Sequence, residues 1–251
     1  EPREVPEPPR AVPGSPRAVS DAELRELSEQ LLAADSNRAG PGQLELNLKG
    51  SGSDTAAPRL FSYVSPELLA RPTFSRLLAL LDNYEPRTGR DETETAEEQR
   101  EQKEFLDAAL DTPVLALLER FVLSKGGAAP SLWCPHAVPT VSPPSSHSVP
   151  MVAPLSLQCL PQVLPVCSTV CPWTGFPDVL SLQFLWDGHS KPRGSLLVGS
   201  SPEFDLALFT LCFLARPDRQ CHVSLGGEAA TIQTYTWDKR RLVASAYPLT
   251  P

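Results

Sequence analysis

Phe184-Leu185-Trp186-Asp187-Gly188-His189-Ser190-Lys191-Pro192-Arg193-Gly194-Ser195-Leu196-Leu197-Val198-Gly199-Ser200-Ser201-Pro202-Glu203-Phe204 is the stretch on which the reading of this chain turns. Val179 to Trp186 and Ser195 to Val198 have the apolar, β-branched and aromatic content of strands, and Asp187-Gly188 and Pro192-Arg193-Gly194 supply turn residues between them. Ser201-Pro202-Glu203 then caps a helix, with proline in the first turn, where its missing N–H costs nothing. The apolar residues Phe204, Leu206, Leu208, Leu211 and Cys212 carry that helix to Ala215, and Pro217 stops it. Lys191 and Ser195 are thereby placed on a glycine-containing turn just ahead of a capped helix, a setting suited to a phosphate. Beyond the helix the pattern is β throughout: His222 to Leu225, a Gly226-Gly227 turn, Thr231 to Trp237, a basic turn at Lys239-Arg240-Arg241, and Leu242 to Tyr247.

Upstream the periodicity changes from two to 3.6. Residues 1–18 are proline-rich and charged and read as an extended linker. Ser20-Asp-Ala-Glu23 is a capping box, and Leu24, Leu27 and Leu31 follow at helical spacing, which predicts a helix over 21–34. Turn residues fill 35–42, and Leu44, Leu46 and Leu48 alternate like a short half-buried strand. Ser65-Pro66 and Pro72-Thr73 open two further helices, the second carrying Phe74, Leu77, Leu78 and Leu81 and closing at Asp82-Asn83-Tyr84. A charged loop leads to a second capping box, Thr95-Ala-Glu-Glu98, whose helix runs to about Leu110 and is apolar only from Phe105 onward. Pro113 starts one more helix, with Val114, Leu115, Leu118, Phe121 and Val122 along one stripe. Residues 19–125 thus read as a helical N-terminal lobe.

Between the helical and β-rich parts the chemistry is unlike either. From Gly126 to Pro177 there is no Asp, Glu, Lys or Arg, and proline recurs every few residues. Charged residues make up about a quarter of ordinary domains, so an uncharged run of this length is foreign to a surface-bearing segment. The prolines exclude helix interiors and central strands. A linker would carry charge, and a mucin-like stalk would hold more Ser and Thr and less Leu and Cys. Residues 126–172 are therefore read as a low-complexity or aberrant segment, of the kind an altered reading frame or retained non-coding sequence produces.

The bulk numbers limit the partners. The 251 residues have a formal net charge of -8, so any nucleic-acid site must be local rather than a broad basic face. Lys191 with Arg193 and the run Lys239-Arg240-Arg241 are the candidates, with Trp186, Tyr235, Trp237 and Tyr247 nearby. The six cysteines offer no zinc spacing; Cys212 reads most simply as a buried thiol, with a Cys212–Cys221 disulfide as the alternative. The most apolar stretch, Met151 to Cys171, is broken by Pro154, Pro161 and Pro165, so no membrane span is expected. The start at Glu1, without Met or an apolar leader, reads as a processed or partial product.

Two blocks of residues resemble a known family. Ala34-Asp-Ser-Asn-Arg-Ala-Gly-Pro-Gly42, Leu80-Leu-Asp-Asn-Tyr84 and Phe105-Leu-Asp107 resemble the N-terminal subdomain of the EndoU (XendoU-like, placental protein 11) poly(U)-specific endoribonucleases. Pro177-Asp-Val-Leu180, Ser200-Ser-Pro-Glu-Phe204 and Tyr235-Thr-Trp-Asp-Lys239 resemble the C-terminal subdomain of the same enzymes. The resemblance implies an α+β fold, with a helical N-terminal lobe and a β-rich C-terminal lobe (173–251) interrupted by the low-complexity segment. It also implies Mn²⁺-assisted cleavage of single-stranded, U-containing RNA to a 2′,3′-cyclic phosphate, by a secreted, monomeric protein.

In that chemistry a base takes the 2′-OH proton, an acid protonates the leaving 5′-oxygen, and a cation meets the charge on the phosphorane. By resemblance Lys191 is the cationic catalytic residue, Ser195 a uracil-recognition group and Tyr247 an aromatic residue near the base or ribose. The plain alternatives are an exposed turn lysine, a turn serine and a half-buried strand tyrosine. The family's two histidines lie in motifs resembling Phe-Glu-His-Val-Phe and Gly-Phe-His-Asn-Trp, and neither occurs in this sequence. His136 and His147 lack the flanking residues, and His189 and His222 read as satisfied or solvent-facing. Two functions follow as expectations: a uridylate-specific endoribonuclease homologue lacking its histidine motifs, or a non-catalytic remnant that binds RNA weakly or not at all.

Overall fold

A computed structural model of the chain describes residues 18–46, 60–82, 95–126, 164–166, 178–186, 189–237 and 242–250. The N-terminal linker, Leu48, the charged loop after Asp82, most of the uncharged segment with His136 and His147, the Asp187-Gly188 turn and the basic run 239–241 lie outside the described residues.

Helix α1 spans Asp21–Ala34, and its capping box is formed in both directions: Glu23 N–H donates to Ser20 Oγ at 3.2 Å, and Ser20 N–H donates to Glu23 Oε2 at 2.9 Å. Two orphan amides of the first turn are thereby satisfied, worth about 1 kcal/mol. After strand β1 (Leu44–Leu46), β2 (Phe61–Val64) pairs with it antiparallel, and α2 (Pro66–Leu69) and α3 (Pro72–Ala79) follow. The chain tightens into a 3₁₀ turn over Leu80–Asp82, so α3 closes slightly earlier than the apolar spacing predicts. Helix α4 (Ala96–Leu110) repeats the capping box with Thr95 and Glu98, and α5 (Pro113–Ser124) is capped by Thr112. None of the described helices is long and apolar enough to cross a membrane.

The β part comprises two three-stranded antiparallel sheets. In the first, β3 (Leu164–Val166), β4 (Asp178–Trp186) and β5 (His189–Val198) lie in that order. Two expectations change here. Pro192-Arg193-Gly194 is not a turn but part of β5, because a register shift places Pro192 and Arg193 together opposite Gln183. A bulge of this kind absorbs a residue that has no N–H to donate. A short strand also forms within the uncharged segment, with Pro165 on the edge strand, where a missing N–H is tolerated. Helix α6 (Pro202–Ala215) leads to the second sheet, β6 (Gln220–Leu225), β7 (Glu228–Trp237) and β8 (Leu242–Leu249), also in sequence order.

The helical and β-rich parts share one core. Leu24, Leu27, Leu31 and Leu32 of α1 and Val114, Leu115 and Leu118 of α5 are buried with Phe204, Leu208 and Leu211 of α6 and Val223, Ile232 and Ala246 of the last sheet. Burial of side chains of this size contributes about 1.5–3 kcal/mol each. Helix α1 also covers the free edge of β6: Ser28 Oγ donates to Ser224 O and accepts from Ser224 N–H, at 2.9 and 3.0 Å. Glu29 accepts from both amides of the Gly226-Gly227 turn, whose positive φ values suit glycine. A side-chain cover of this kind removes the pairing template that an open edge presents. Cys212 and Cys221, both fully buried, form a disulfide joining α6 to β6, so Cys212 is not the free thiol of the simplest reading.

A buried polar joint closes the fold. Asp35, at the C-cap of α1, is only 3 % exposed and accepts from Ser201 N–H at 3.1 Å, while Glu203 and Asp205 in the first turn of α6 are each 1 % exposed. Asn37 donates to Glu203 Oε1 at 2.6 Å and Ser200 Oγ to Asp205 Oδ1 at 2.6 Å. Arg71 holds the loop from outside by donating to the carbonyls of Asn37 and Arg38, at 2.6 and 2.8 Å. Burial pushes the Asp35 carboxyl up to about 6, reinforced by the Glu203 charge, and pushes Asp205 well above the ordinary range. A carboxyl whose folded pKa is raised stabilises the fold fully below its unfolded pKa and loses that contribution as pH rises through the folded value. Glu23, held down to about 2 chiefly by Lys125, loses its contribution mainly below pH 5 and opposes the trend only slightly. Acidification from pH 7 to 5 is therefore expected to stabilise the protein by about 1 kcal/mol through Asp35. Denaturation followed across that range checks this, and Asp35→Asn should flatten the rise; an unchanged slope in the variant would remove Asp35 as its source.

Candidate nucleic-acid interface

The two faces of the last sheet differ in chemistry. Alternation along β6, β7 and β8 turns Cys221, Val223, Ile232, Thr234 and Ala246 into the core. The intervening positions Gln220, His222, Gln233, Tyr235, Ser245 and Tyr247 form the outer face, where Gln220, His222 and Tyr235 are exposed and the others half-buried. His222 is solvent-facing, with Nδ1 3.2 Å from Thr231 Oγ1. One face thus supports the fold and the other is polar, aromatic and open.

Tyr247 pairs across the strands with Gln233, and Tyr235 with Ser245, so the two tyrosines are diagonal neighbours on one face. Their rings are inclined by 27° with centroids 6.3 Å apart. Burial, together with Tyr235, raises the Tyr247 phenol above its ordinary value, so it remains a neutral hydrogen-bonding group at neutral pH. The strand carrying Tyr235 is tied down just past that residue. Asp218, in the left-handed region at φ 59, accepts from Thr236 N–H at 2.6 Å and Thr236 Oγ at 2.7 Å, and these bonds hold its carboxyl below the usual range. Thr234 Oγ donates to Arg216 O at 2.8 Å from the buried side.

Ser195 reaches this sheet from the other one. From β5 it pairs with Ser181 of β4, and its hydroxyl donates to the carbonyl of Pro248, the residue after Tyr247. The hydroxyl proton is thus committed, and the remaining lone pairs of Ser195 Oγ are acceptors. Ser195 and Tyr247 are thereby brought to one place where the two sheets meet. For Lys191 in β5 the structure gives the backbone position alone, paired with Phe184 of β4. The bulge between Lys191 and Gly194 means that their alternation is not a plain four-residue step to Ser195.

No three carboxylate, imidazole or thiolate groups among the described residues are placed to hold a metal ion. The Mn²⁺ implied by resemblance has no protein ligand set among them, and no step below is routed through it. Sequence reading missed Tyr235 as the companion of Tyr247 and the Pro248 carbonyl as the anchor of Ser195. Only the cross-strand register, which the sequence leaves open, makes these residues neighbours.

The family model described as "Endoribonuclease XendoU" matches residues 23–133 and 169–248, leaving 134–168 unmatched. Uridylate-specific endoribonuclease C of Xenopus laevis is 37 % identical, covering 92 % of this chain and 90 % of its own length. That alignment spans 272 positions against the 251 residues here, so the relative has residues with no counterpart in this chain. The uridylate-specific endoribonuclease of Paralichthys olivaceus is 34 % identical over 93 % of this chain and 71 % of its own, and that of Homo sapiens 31 % over 91 % and 66 %. Among solved structures, "The structure of XendoU: a splicing independent snoRNA processing endoribonuclease" superposes with a TM-score of 0.68 at 27 % identity, covering 90 % of this chain and 96 % of that one.

Proposed function

Because this chain belongs to the XendoU endoribonuclease family, we propose that it binds single-stranded U-containing RNA as a monomer at the junction of Ser195 and Tyr247. We propose further that it cleaves this RNA slowly, because the proton-transfer pair of the reaction is missing. The observation carrying the site is the Ser195 hydroxyl seated on the Pro248 carbonyl beside Tyr247, which joins two substrate-binding candidates from different sheets.

The reaction forms a bond from the ribose 2′-oxygen to phosphorus and breaks the bond to the 5′-oxygen. The 2′-OH proton is removed, and a proton is delivered to the leaving oxygen. Lys191 has the role of a point charge on the phosphate oxygens as negative charge builds. Ser195, with its proton committed, accepts from the N3–H of uracil; cytosine presents an acceptor at N3, so the same oxygen repels it. Tyr247 supplies a ring beside the base or ribose.

Neither histidine motif of the family occurs in the sequence, and the interval between the matched blocks is the uncharged segment. Loss of each proton-transfer group lowers the rate by about 10²- to 10⁴-fold. These observations favour an RNA-binding protein of slow or no cleavage that retains Lys191, Ser195 and Tyr247 of the ancestral site. Dependence on Mn²⁺ and export from the cell belong to the same reading, and the Cys212–Cys221 disulfide supports an oxidising compartment.

Four measurements test these proposals. U-tract RNA should bind in a salt-dependent way, and Lys191→Ala should weaken binding and reduce the log–log salt slope by about 0.7. With Mn²⁺, any cyclic-phosphate product should be slow and Lys191-dependent; rapid cleavage indifferent to Lys191→Ala would overturn the assignment, and EDTA tests the metal requirement. Ser195→Ala should reduce the preference for U over C in binding by about tenfold, the cost of one hydrogen bond, and an unchanged preference would remove Ser195 from base recognition. Alkylation of the unfolded, unreduced exported protein should leave Cys212 and Cys221 unmodified, whereas modification of both would contradict the oxidising compartment.

A further inference from the structure

Tyr235 is 46 % exposed on a sheet face that also carries the ring of Tyr247, held near Ser195. A large aromatic side chain on a strand has an alternative to such exposure, because turning it inward would bury its ring. The outer position is fixed by register: Tyr235 alternates with Thr234, which is fully buried and bonded to Arg216 O, and the Asp218–Thr236 bonds hold the other side. A one-residue slip would bury Tyr235 and expose Ile232 and Thr234. The ring is therefore presented rather than left over.

The separation of 6.3 Å lies toward the far end of the range of aromatic pairs, about 4.5–7 Å. At a 27° inclination the rings lie beside one another more than they cover one another, so the partnership with Tyr247 does not consume the stacking surface of Tyr235. Two nearly parallel rings on neighbouring strands, with Gln233 and Ser245 between them on the same face, repeat the arrangement of single-strand binding sheets, in which aromatic rings receive successive bases.

We propose that Tyr235 and Tyr247 form a two-ring platform, Tyr235 stacking a base adjacent to the uridine that lies at Ser195 and Tyr247. This rests on the reading of that junction as an RNA site and extends it from one nucleotide to two. Stacking on Tyr235 does not distinguish among bases, because each has a π-face; the selective contact stays with Ser195. Tyr235 thus adds affinity for a neighbouring nucleotide without adding sequence preference. The phenol hydroxyl is not required for this role, whereas the ring is.

Equilibrium binding of UMP, a U dinucleotide and longer U tracts to the full chain, with Tyr235→Ala, Tyr235→Phe and Tyr247→Ala, tests the proposal. Tyr235→Ala should weaken the dinucleotide and longer tracts about 5- to 150-fold and leave UMP unchanged, Tyr235→Phe should bind nearly as the unaltered chain, and Tyr247→Ala should weaken all ligands. Equal loss for UMP and the dinucleotide in Tyr235→Ala would make Tyr235 a support for Tyr247 and overturn the platform. Unchanged tract binding in Tyr235→Ala, with Tyr247→Ala still weakened, would overturn the platform while leaving the RNA site intact. If the unaltered chain binds no U tract, both fail together. Thermal unfolding of each variant separates loss of binding from loss of fold, and Tyr235→Phe provides the ring-only comparison if Tyr235→Ala does not fold.

Discussion

Three carboxylates taken out of water where α1 ends and α6 begins set the condition that the rest of this fold meets. Asp35, Glu203 and Asp205 are all buried, and Asp35 Oδ1 and Glu203 Oε2 have no hydrogen-bond partner. Desolvating a carboxylate is costly unless it is neutralised or richly hydrogen-bonded, and this joint uses both means. Protonation is favoured at Asp35 and Asp205, the α6 N-terminus and the Ser201 amide favour negative charge, Asn37 donates to Glu203 Oε1, and Ser200 donates to Asp205 Oδ1. The joint fixes the loop after α1 against the end of β5, where Ala39 N–H donates to Gly199 O at 2.8 Å.

From that fixed point the two sheets acquire their relation. Strand β5 leads directly into the capped start of α6, and α6 carries the buried face on which the last sheet packs. The disulfide ties the end of α6 to β6, and α1 covers the free edge of β6 through Ser28 and Glu29. With the inner face so occupied, strand alternation leaves the polar and aromatic side chains outward. Ser195 bridges to Pro248 across the gap, so the candidate interface follows from how the sheets are held and not from any one strand. Its separate parts also explain why a net charge of -8 does not forbid an RNA site: the contacts in question are one lysine, one hydroxyl and two rings, and none requires a broad basic surface.

The helix ends were legible because their causes are local. Ser20 with Glu23, Thr95 with Glu98, Thr112 with Pro113 and Ser201 with Pro202 each cap a helix within a span of a few residues. The bulge at Pro192 was not legible. A Pro-Arg-Gly triplet has the composition of a turn, and only pairing with β4 turns it into a strand. The same holds for Cys212: a thiol on an apolar helix reads as buried, and its partner is revealed when β6 lies beside it. Asp35, Glu203 and Asp205 read as ordinary turn and cap residues, since nothing in their own neighbourhoods predicts that they will be packed together.

By itself the sequence determined where the helices start and stop, most of the C-terminal strands and the uncharged interval, and its family resemblance picked out Lys191, Ser195 and Tyr247, whereas β2, β3 and the Pro192-Arg193-Gly194 part of β5 were not read from it. The helices, strands and uncharged interval depend on periodicity, capping and residue type, which act over a turn or two of chain. The tertiary structure alone decided that the helical and β-rich parts share a core, that the buried carboxylates meet, that Ser195 rests on Pro248, and that Tyr235 stands beside Tyr247. Register and packing between distant segments created those neighbours, and one residue of slip in either sheet would have chosen others.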